Sequence, residues 1–327
     1  MTMKSVDPAH LRSVVLAGHA GGGKTTLAEQ LLFRAGAIPR LGRVDDSTAH
    51  LDYEPEEQKR KESLSLAVAT FEHDGTRITL VDTPGYPDFL AEVIEGFAAS
   101  DGALFVVDAT GGVEAGLENA VGLGRSTGRA ACFFLNRCDK ENADPTAALD
   151  ALRARFGNKI APLHLAIGKG EKFSGYVDLV HRKAYELQGN QEVEVPVPDE
   201  LAGEIATRRD QLLEAAAEAD DDVMAKYLEG EEISDEELDT CLHRGVRDSI
   251  LAPVLVGSAT KGVGMSALLD AFIRYMPTAA EEPAVEAKHP KGGDPVSNCL
   301  KRENKLAHTL LRHRWAPMSV KRSEEVP

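Results

Sequence analysis

Cysteine is scarce in this chain. Cys132, Cys138, Cys241 and Cys299 are scattered over 327 residues with no CxxC pair, which argues against a disulfide framework or a thiolate metal site and for free buried thiols in a reducing compartment. Long apolar runs are also missing, and the mean hydropathy is −0.25. No segment reaches membrane-spanning length, and "MTMKSVDPAHLRSVVLAG" has no apolar signal core ahead of the first expected strand. A cytoplasmic protein without a membrane partner is expected. Positive charge is in deficit: 37 Lys and Arg against 53 Asp and Glu give a net charge of −16. A broad nucleic-acid-binding face and direct DNA binding are therefore not expected, although a local basic contact with a ribonucleoprotein remains open. What is abundant is apolar residues, 43% of the chain, enough for one large core or two domains.

Strand-like and helix-like segments alternate, which predicts an α/β fold around a parallel sheet. "RSVVLAG" reads as a buried strand and "TTLAEQLLFRAGAI" as the helix after it, with Leu27, Leu31 and Leu32 at helical spacing. "LSLAVATFE" and "ITLVDT" flank an Asp-Gly turn and should form a hairpin. "GALFVVDA", "ACFFLN" and "PVLVGSA" are further buried strands with polar carboxyl ends, where open α/β sheets hold ligands. Between Leu163 and Leu251 a short β section and a run of acidic helices interrupt this pattern. The expected division is a nucleotide-binding core over 8–162, an inserted α+β subdomain over 163–250, completion of the core over 251–279, and a linker with a disordered basic tail over 280–327.

Gly18-His19-Ala20-Gly21-Gly22-Gly23-Lys24-Thr25 fits G-x-x-x-x-G-K-[ST]. In a P-loop of this kind the glycines let backbone amides curl toward phosphate oxygens, and the next helix adds its positive N-terminus. Lys24 should reach the β- and γ-phosphates, Thr25 should ligate Mg²⁺, and Thr26 continues the binding segment. Asp82 ends a strand where a carboxylate would hold the Mg²⁺ shell, and the Gly85 amide in "DTPGYPDF" would meet the γ-phosphate. "FFLNRCDK" places Asn136 and Asp139 after another strand. A carboxylate there can accept both N1–H and the exocyclic amine of guanine, a donor pair that adenine lacks. The stem of Arg137 could lie over the base. Ser258 and Ala259 in "GSATKGVG" sit on the loop after the last strand, with the Ala259 amide offered to the guanine carbonyl.

The order "GHAGGGKTT", "EEQKRKESL", "DTPGYPDF", "NRCD", "GSATKG" resembles the bacterial elongation factor G family, and its EF-G-like paralogues in particular, over roughly Leu11 to Pro283. The resemblance implies a translational GTPase G domain with an inserted G′ subdomain, GTP or GDP with Mg²⁺ as ligands, and the ribosome and its stalk protein as partners. Beyond Pro283 the family continues into a β-barrel that the tail does not resemble, as in a chain truncated to its G domain. The family's ERGIT aligns with Lys59-Arg60-Lys61-Glu62-Ser63. Ser63 keeps a hydroxyl for Mg²⁺, while Lys61 and Glu62 replace a glycine and an apolar residue. Gly21 stands where the family has an aspartate, Arg137 where it has a lysine, and Tyr86 where it has a histidine near the attacking water. A phenol with a pKa near 10 handles protons poorly at neutral pH. Three readings follow: a slow GTPase with Tyr86, Lys24 and Gly85 at the reacting phosphate, a GTP-binding regulator without turnover, and an unrelated P-loop ATPase, against which Asn136 and Asp139 argue.

Overall fold

A computed structural model of the chain describes residues 6–281. Cys299 and the expected basic tail lie outside the described residues. Strand β1 (Leu11–Ala17) sends Val14 and Leu16 into one core and Val15 and Ala17 into another, because successive strand side chains point to opposite faces. Helix α1 (Lys24–Arg34) starts at left-handed Gly23 and buries Leu27, Leu31 and Leu32 in the first core. A short helix α2 (Pro55–Arg60) is opened by a capping box between Glu54 and Glu57. Then β2 (Ala67–His73) and β3 (Thr76–Asp82) form the expected hairpin. His73 pairs with Thr76, and Asp74 and Gly75 take φ values of 43° and 73°, the double positive φ that a two-residue turn between twisted strands requires.

The alternation continues through α3 (Leu90–Ala99), β4 (Gly102–Asp108), α4 (Ala115–Ser126), β5 (Ala130–Asn136) and α5 (Pro145–Phe156). Beneath α3, α4 and α5 runs a ladder of tilted rings, Phe97, Phe105, Phe133 and Phe156, with successive centroids 6.2, 5.1 and 5.9 Å apart. A fully buried phenylalanine of this kind contributes about 1.5–3 kcal/mol through burial alone. The short edge strand β6 (Ile160–Pro162) leads into β7 (His164–Ile167), β8 (Gly175–Asp178), β9 (Lys183–Gln188) and β10 (Gln191–Val195). These last four form a separate antiparallel sheet in the order β10-β9-β8-β7. Helices α6 (Ala202–Ala219), α7 (Asp221–Glu229) and α8 (Asp235–Arg247) come next. The chain then returns through β11 (Ala252–Val256) to α9 (Met265–Tyr275).

The main sheet has seven strands in the order β2-β3-β1-β4-β5-β11-β6, parallel throughout except for β2 against β3. This is the expected α/β fold with a parallel sheet. β6 has only three residues, Ile160, Ala161 and Pro162, too few to show a period, and it joins the sheet because β11 offers an open edge. The first core runs without a break from Val14 and Leu27 to Leu179, Leu212 and Leu242, so β7–β10 and α6–α8 share buried apolar surface with the main sheet. The described residues through Ala279 form one compact unit. Cys132, Cys138 and Cys241 are buried free thiols within it.

Candidate functional site

The carboxyl ends of β1, β3, β4, β5 and β11 deliver the chemistry-bearing loops. After β1 the chain turns through Gly18, Gly21 and Gly23, with φ values of 148°, 73° and 89°. A Cβ on Gly18 would meet the Val106 carbonyl oxygen at 2.4 Å, and one on Gly23 would meet Asn136 Nδ2 at 2.6 Å. These two glycines are therefore set by close approach as well as by backbone sign. His19 turns its ring toward Gly116 and Glu114, and Gly22 N–H donates to the His19 carbonyl at 3.3 Å. Lys24 is buried, and its Nζ donates to the carbonyls of Gly18 at 3.2 Å and His19 at 3.0 Å. Burial pushes its pKa below the usual lysine value, against the opposing pull of Asp82.

Two hydroxyls and two carboxylates form a continuous chain beside Lys24. Thr25 Oγ1 donates to Asp82 Oδ2 at 2.7 Å and lies 3.0 Å from Ser63 Oγ, which in turn donates to Asp52 Oδ1 at 2.7 Å. The second oxygens, Asp82 Oδ1 and Asp52 Oδ2, are buried without a partner. Burial raises the Asp82 pKa to about 7, opposed by the Thr25 bond and Lys24, and burial also raises that of Asp52. Unpaired carboxylates are costly in such a place. Hard oxygen donors with free lone pairs are what Mg²⁺ and Ca²⁺ select, so the donor set fits a divalent cation. Asp52 belongs to this set and the sequence reading did not single it out.

The loop that carries Asp52 and Ser63 is held by two other carboxylates that the reading missed. Glu29 of α1 is fully buried and accepts from the backbone of His50 at 2.6 Å and of Leu51 at 3.1 Å. Glu57 accepts from Leu64 at 2.9 Å and Ser65 at 3.1 Å. Lys61, which ends α2, takes φ 58°. Across the cavity, Gly85 lies so close to the glycine loop that a Cβ there would sit 2.6 Å from both Lys24 Nζ and Ala20 Cα. The Tyr86 side chain is exposed, and its hydroxyl donates to Glu62 Oε1 at 2.9 Å. That bond, more than any burial, raises the phenol's pKa.

At the other end of the cavity, Asn136 is a tie between loops. Its Nδ2 donates to the Gly22 carbonyl at 3.0 Å, and its Oδ1 accepts from Ala259 N–H at 2.9 Å. This departs from the expectation for Ala259: the amide meant for a base carbonyl is engaged by Asn136, a residue distant in sequence. Ser258 is wholly buried and shapes the same loop by accepting from Lys261 N–H at 3.0 Å. Arg137 takes φ 62° and lays its guanidinium on Asp108 at 2.6 Å. Asp108 was also missed, because nothing local in "FVVDA" names a partner 29 residues away. One oxygen of Asp139 is buried with no partner.

The cavity enclosed by these loops has a volume of about 430 Å³ and is lined by Gly21, Gly23, Lys24, Thr25 and Thr26, by Asp52 and the Lys61–Ser63 segment, by Gly85 and Tyr86, and by Asn136, Arg137, Lys140, Ala259 and Thr260. Its size suits a small ligand. Strand, glycine-rich loop, helix and a carboxylate on the neighbouring strand together define an α/β protein of the P-loop class. The chain belongs to the family described as "Elongation factor Tu GTP binding domain", whose profile matches residues 9–278. It is similar to an "Elongation factor G-like protein" of Thermotoga maritima, 37% identical over 261 residues, which cover 80% of this chain and 37% of that protein. It is also similar to a crystal structure of a Thermus thermophilus protein, with a TM-score of 0.79 and 37% identity over 84% of this chain and 41% of that one. The chain thus spans about two fifths of the length of each. No described helix is long and apolar enough to cross a membrane.

Proposed function

We propose that this chain binds GTP and GDP with Mg²⁺ and hydrolyses GTP slowly, the terminal phosphate ordering the two loops that carry Ser63 and Gly85. The observation that carries this reading is the convergence of Lys24, Thr25, Ser63 and Asp52 on one cavity, with Asp82 bonded to Thr25 and two buried carboxylate oxygens lacking partners. In it, Lys24 exchanges its two carbonyl partners for the β- and γ-phosphates. Thr25, Ser63 and Asp82 are the residues that would hold Mg²⁺, which would supply positive charge beside the phosphates. The Gly85 backbone meets the γ-phosphate, Asp139 reads guanine, and the Arg137 stem covers the base. Residues 163–250 are the G′ insertion, and its acidic helices face a ribosomal stalk protein. The cytoplasmic ribosome is the partner that accelerates turnover.

A GTP-binding regulator without turnover is the second reading. It is favoured by Tyr86, whose one hydroxyl proton is engaged in the hydrogen bond to Glu62. Two measurements test the proposal. Lys24→Ala should abolish binding of fluorescent GDP while leaving the fold intact by circular dichroism; binding unchanged from wild type would reject the P-loop assignment. Steady-state phosphate release with and without ribosomes separates the two readings, since a regulator releases none in either case.

A further inference from the structure

Glu62 and Tyr86 are two departures from the family pattern, and they meet each other. Glu62 follows Lys61, the cap of α2, and Tyr86 lies on the loop after β3, 24 residues away; the Tyr86 hydroxyl bridges the gap to Glu62 Oε1 at 2.9 Å. The chain neighbours of the pair fix where it stands. Ser63, next to Glu62, lies 3.0 Å from the Thr25 hydroxyl, and Gly85, next to Tyr86, is in close contact with Lys24 Nζ. Both members of the pair line the same cavity as Lys24 and Thr25. The pair therefore stands at the end of the cavity where a terminal phosphate would lie. A carboxylate has room for about four acceptor contacts. Tyr86 occupies one of them on Oε1, and Oε2 takes no hydrogen bond among the described residues.

We propose that the Glu62 carboxylate orients the attacking water for GTP hydrolysis and that Tyr86 is a positioning residue that holds Glu62 in place. The proposal rests on the GTPase reading above. Glu62 accepts a hydrogen bond from the water and turns its lone pair toward the γ-phosphorus. The water oxygen forms the new P–O bond as the bond from phosphorus to the β,γ-bridging oxygen breaks, and that electron pair stays on GDP. A water proton goes to an oxygen of the released phosphate, so Glu62 ends as it began. Phosphoryl transfer through a loose transition state needs orientation of the nucleophile more than a strong base, which a carboxylate supplies and a phenol at the histidine position does not. A like charge beside the triphosphate also has a cost, because like charges repel more strongly in a partly buried cleft than in water. Glu62 should therefore weaken ground-state binding of GTP while promoting its cleavage.

The test is single-turnover GTP cleavage, paired with affinities for fluorescent GTPγS and GDP, on the full chain and on Glu62→Ala, Glu62→Gln, Tyr86→Phe and the Glu62→Ala/Tyr86→Phe double variant. Glu62→Ala should slow cleavage by roughly 10²-fold and bind GTPγS as tightly as wild type or tighter, with GDP affinity unchanged. Glu62→Gln, which keeps an acceptor, should recover part of the loss. Tyr86→Phe should lose roughly 10-fold, and the double variant should lose no more than Glu62→Ala, because the tyrosine acts through the glutamate. Cleavage by Glu62→Ala at the wild-type rate or faster overturns the proposal, as do losses that multiply in the double variant. Wild-type protein that binds GTPγS but cleaves no GTP overturns it while leaving nucleotide binding intact. Wild-type protein that binds no guanine nucleotide overturns the GTPase reading itself, and this proposal with it.

Discussion

Asp139 keeps one carboxylate oxygen buried and without a partner, a state that a folded protein tolerates where a ligand supplies the missing donor. Guanine supplies two donors, N1–H and the exocyclic amine. In Asp139→Asn one acceptor becomes a donor, which suits the carbonyl that xanthine carries in place of the amine. The variant should lose roughly 10²-fold or more in GTP affinity and gain affinity for xanthosine triphosphate, measured by competition against fluorescent GDP. Unchanged guanine preference would move the base site elsewhere. Single residues were unevenly legible in the sequence. Lys24, Thr25 and Asp82 announce themselves because their spacing is dictated by a contiguous loop and the end of a strand. Glu29, Asp52, Glu57 and Asp108 do not, because each finds its partners through the tertiary fold or a loop reversal. Asn136 was legible as a member of the site, but its two bonds, to Gly22 and to Ala259, span 114 and 123 residues, and no local pattern states them.

Among the elements, the segment from α2 to Ser63 carries the clearest local conflict. Lys61 closes the helix at φ 58°, a left-handed conformation that costs a side-chain-bearing residue roughly 1–2 kcal/mol and glycine almost nothing. The residue that the resemblance aligns here is glycine, which takes this conformation at no steric cost. Lys61→Gly should raise the free energy of unfolding by about 0.5–1 kcal/mol after the loss of unfolded-state restriction is counted. The urea midpoint would rise with no change in slope, and a fall would show that the lysine side chain holds the loop by other means. The elements themselves were readable where a period could be counted: β1 and its helix, the Asp-Gly hairpin, and the strands ending in Asp108, Asn136 and Val256. β6 was not, since three residues carry no period and an open neighbouring edge recruited them.

For the molecule as a whole, the joint between the two sheets carries one acid-labile share of stability, opposed over the same pH range by buried Asp82, whose raised pKa favours the folded state as the pH falls. His164 at the start of β7 is buried, stacks on Tyr176 with ring centroids 4.3 Å apart, and leaves Nδ1 unpaired. Burial lowers its pKa from 6.5 to about 4, against the weaker pull of Asp178. Between those values the unfolded chain binds a proton that the folded His164 refuses, so the share of stability that His164 contributes is full above pH 6.5 and is lost as the pH drops toward 4. The shift corresponds to a loss on the order of 3 kcal/mol. His164→Phe, which keeps the stack and removes the titrating group, should flatten this part of the profile in urea titrations at about pH 7, 5.5 and 4.5. An unchanged slope would place the acid sensitivity in other groups. The bond between Asn136 and Ala259 has a consequence for biosynthesis as well. Its two ends are separated by 123 residues, with β7–β10 and α6–α8 between them. At about 5–20 residues per second, a nascent chain that has already made Asn136 waits on the order of 6–25 s for Ala259. During that interval a ligand of this cavity cannot stabilise it, so premature release or stalling between β5 and β11 should yield a product that ligand cannot rescue.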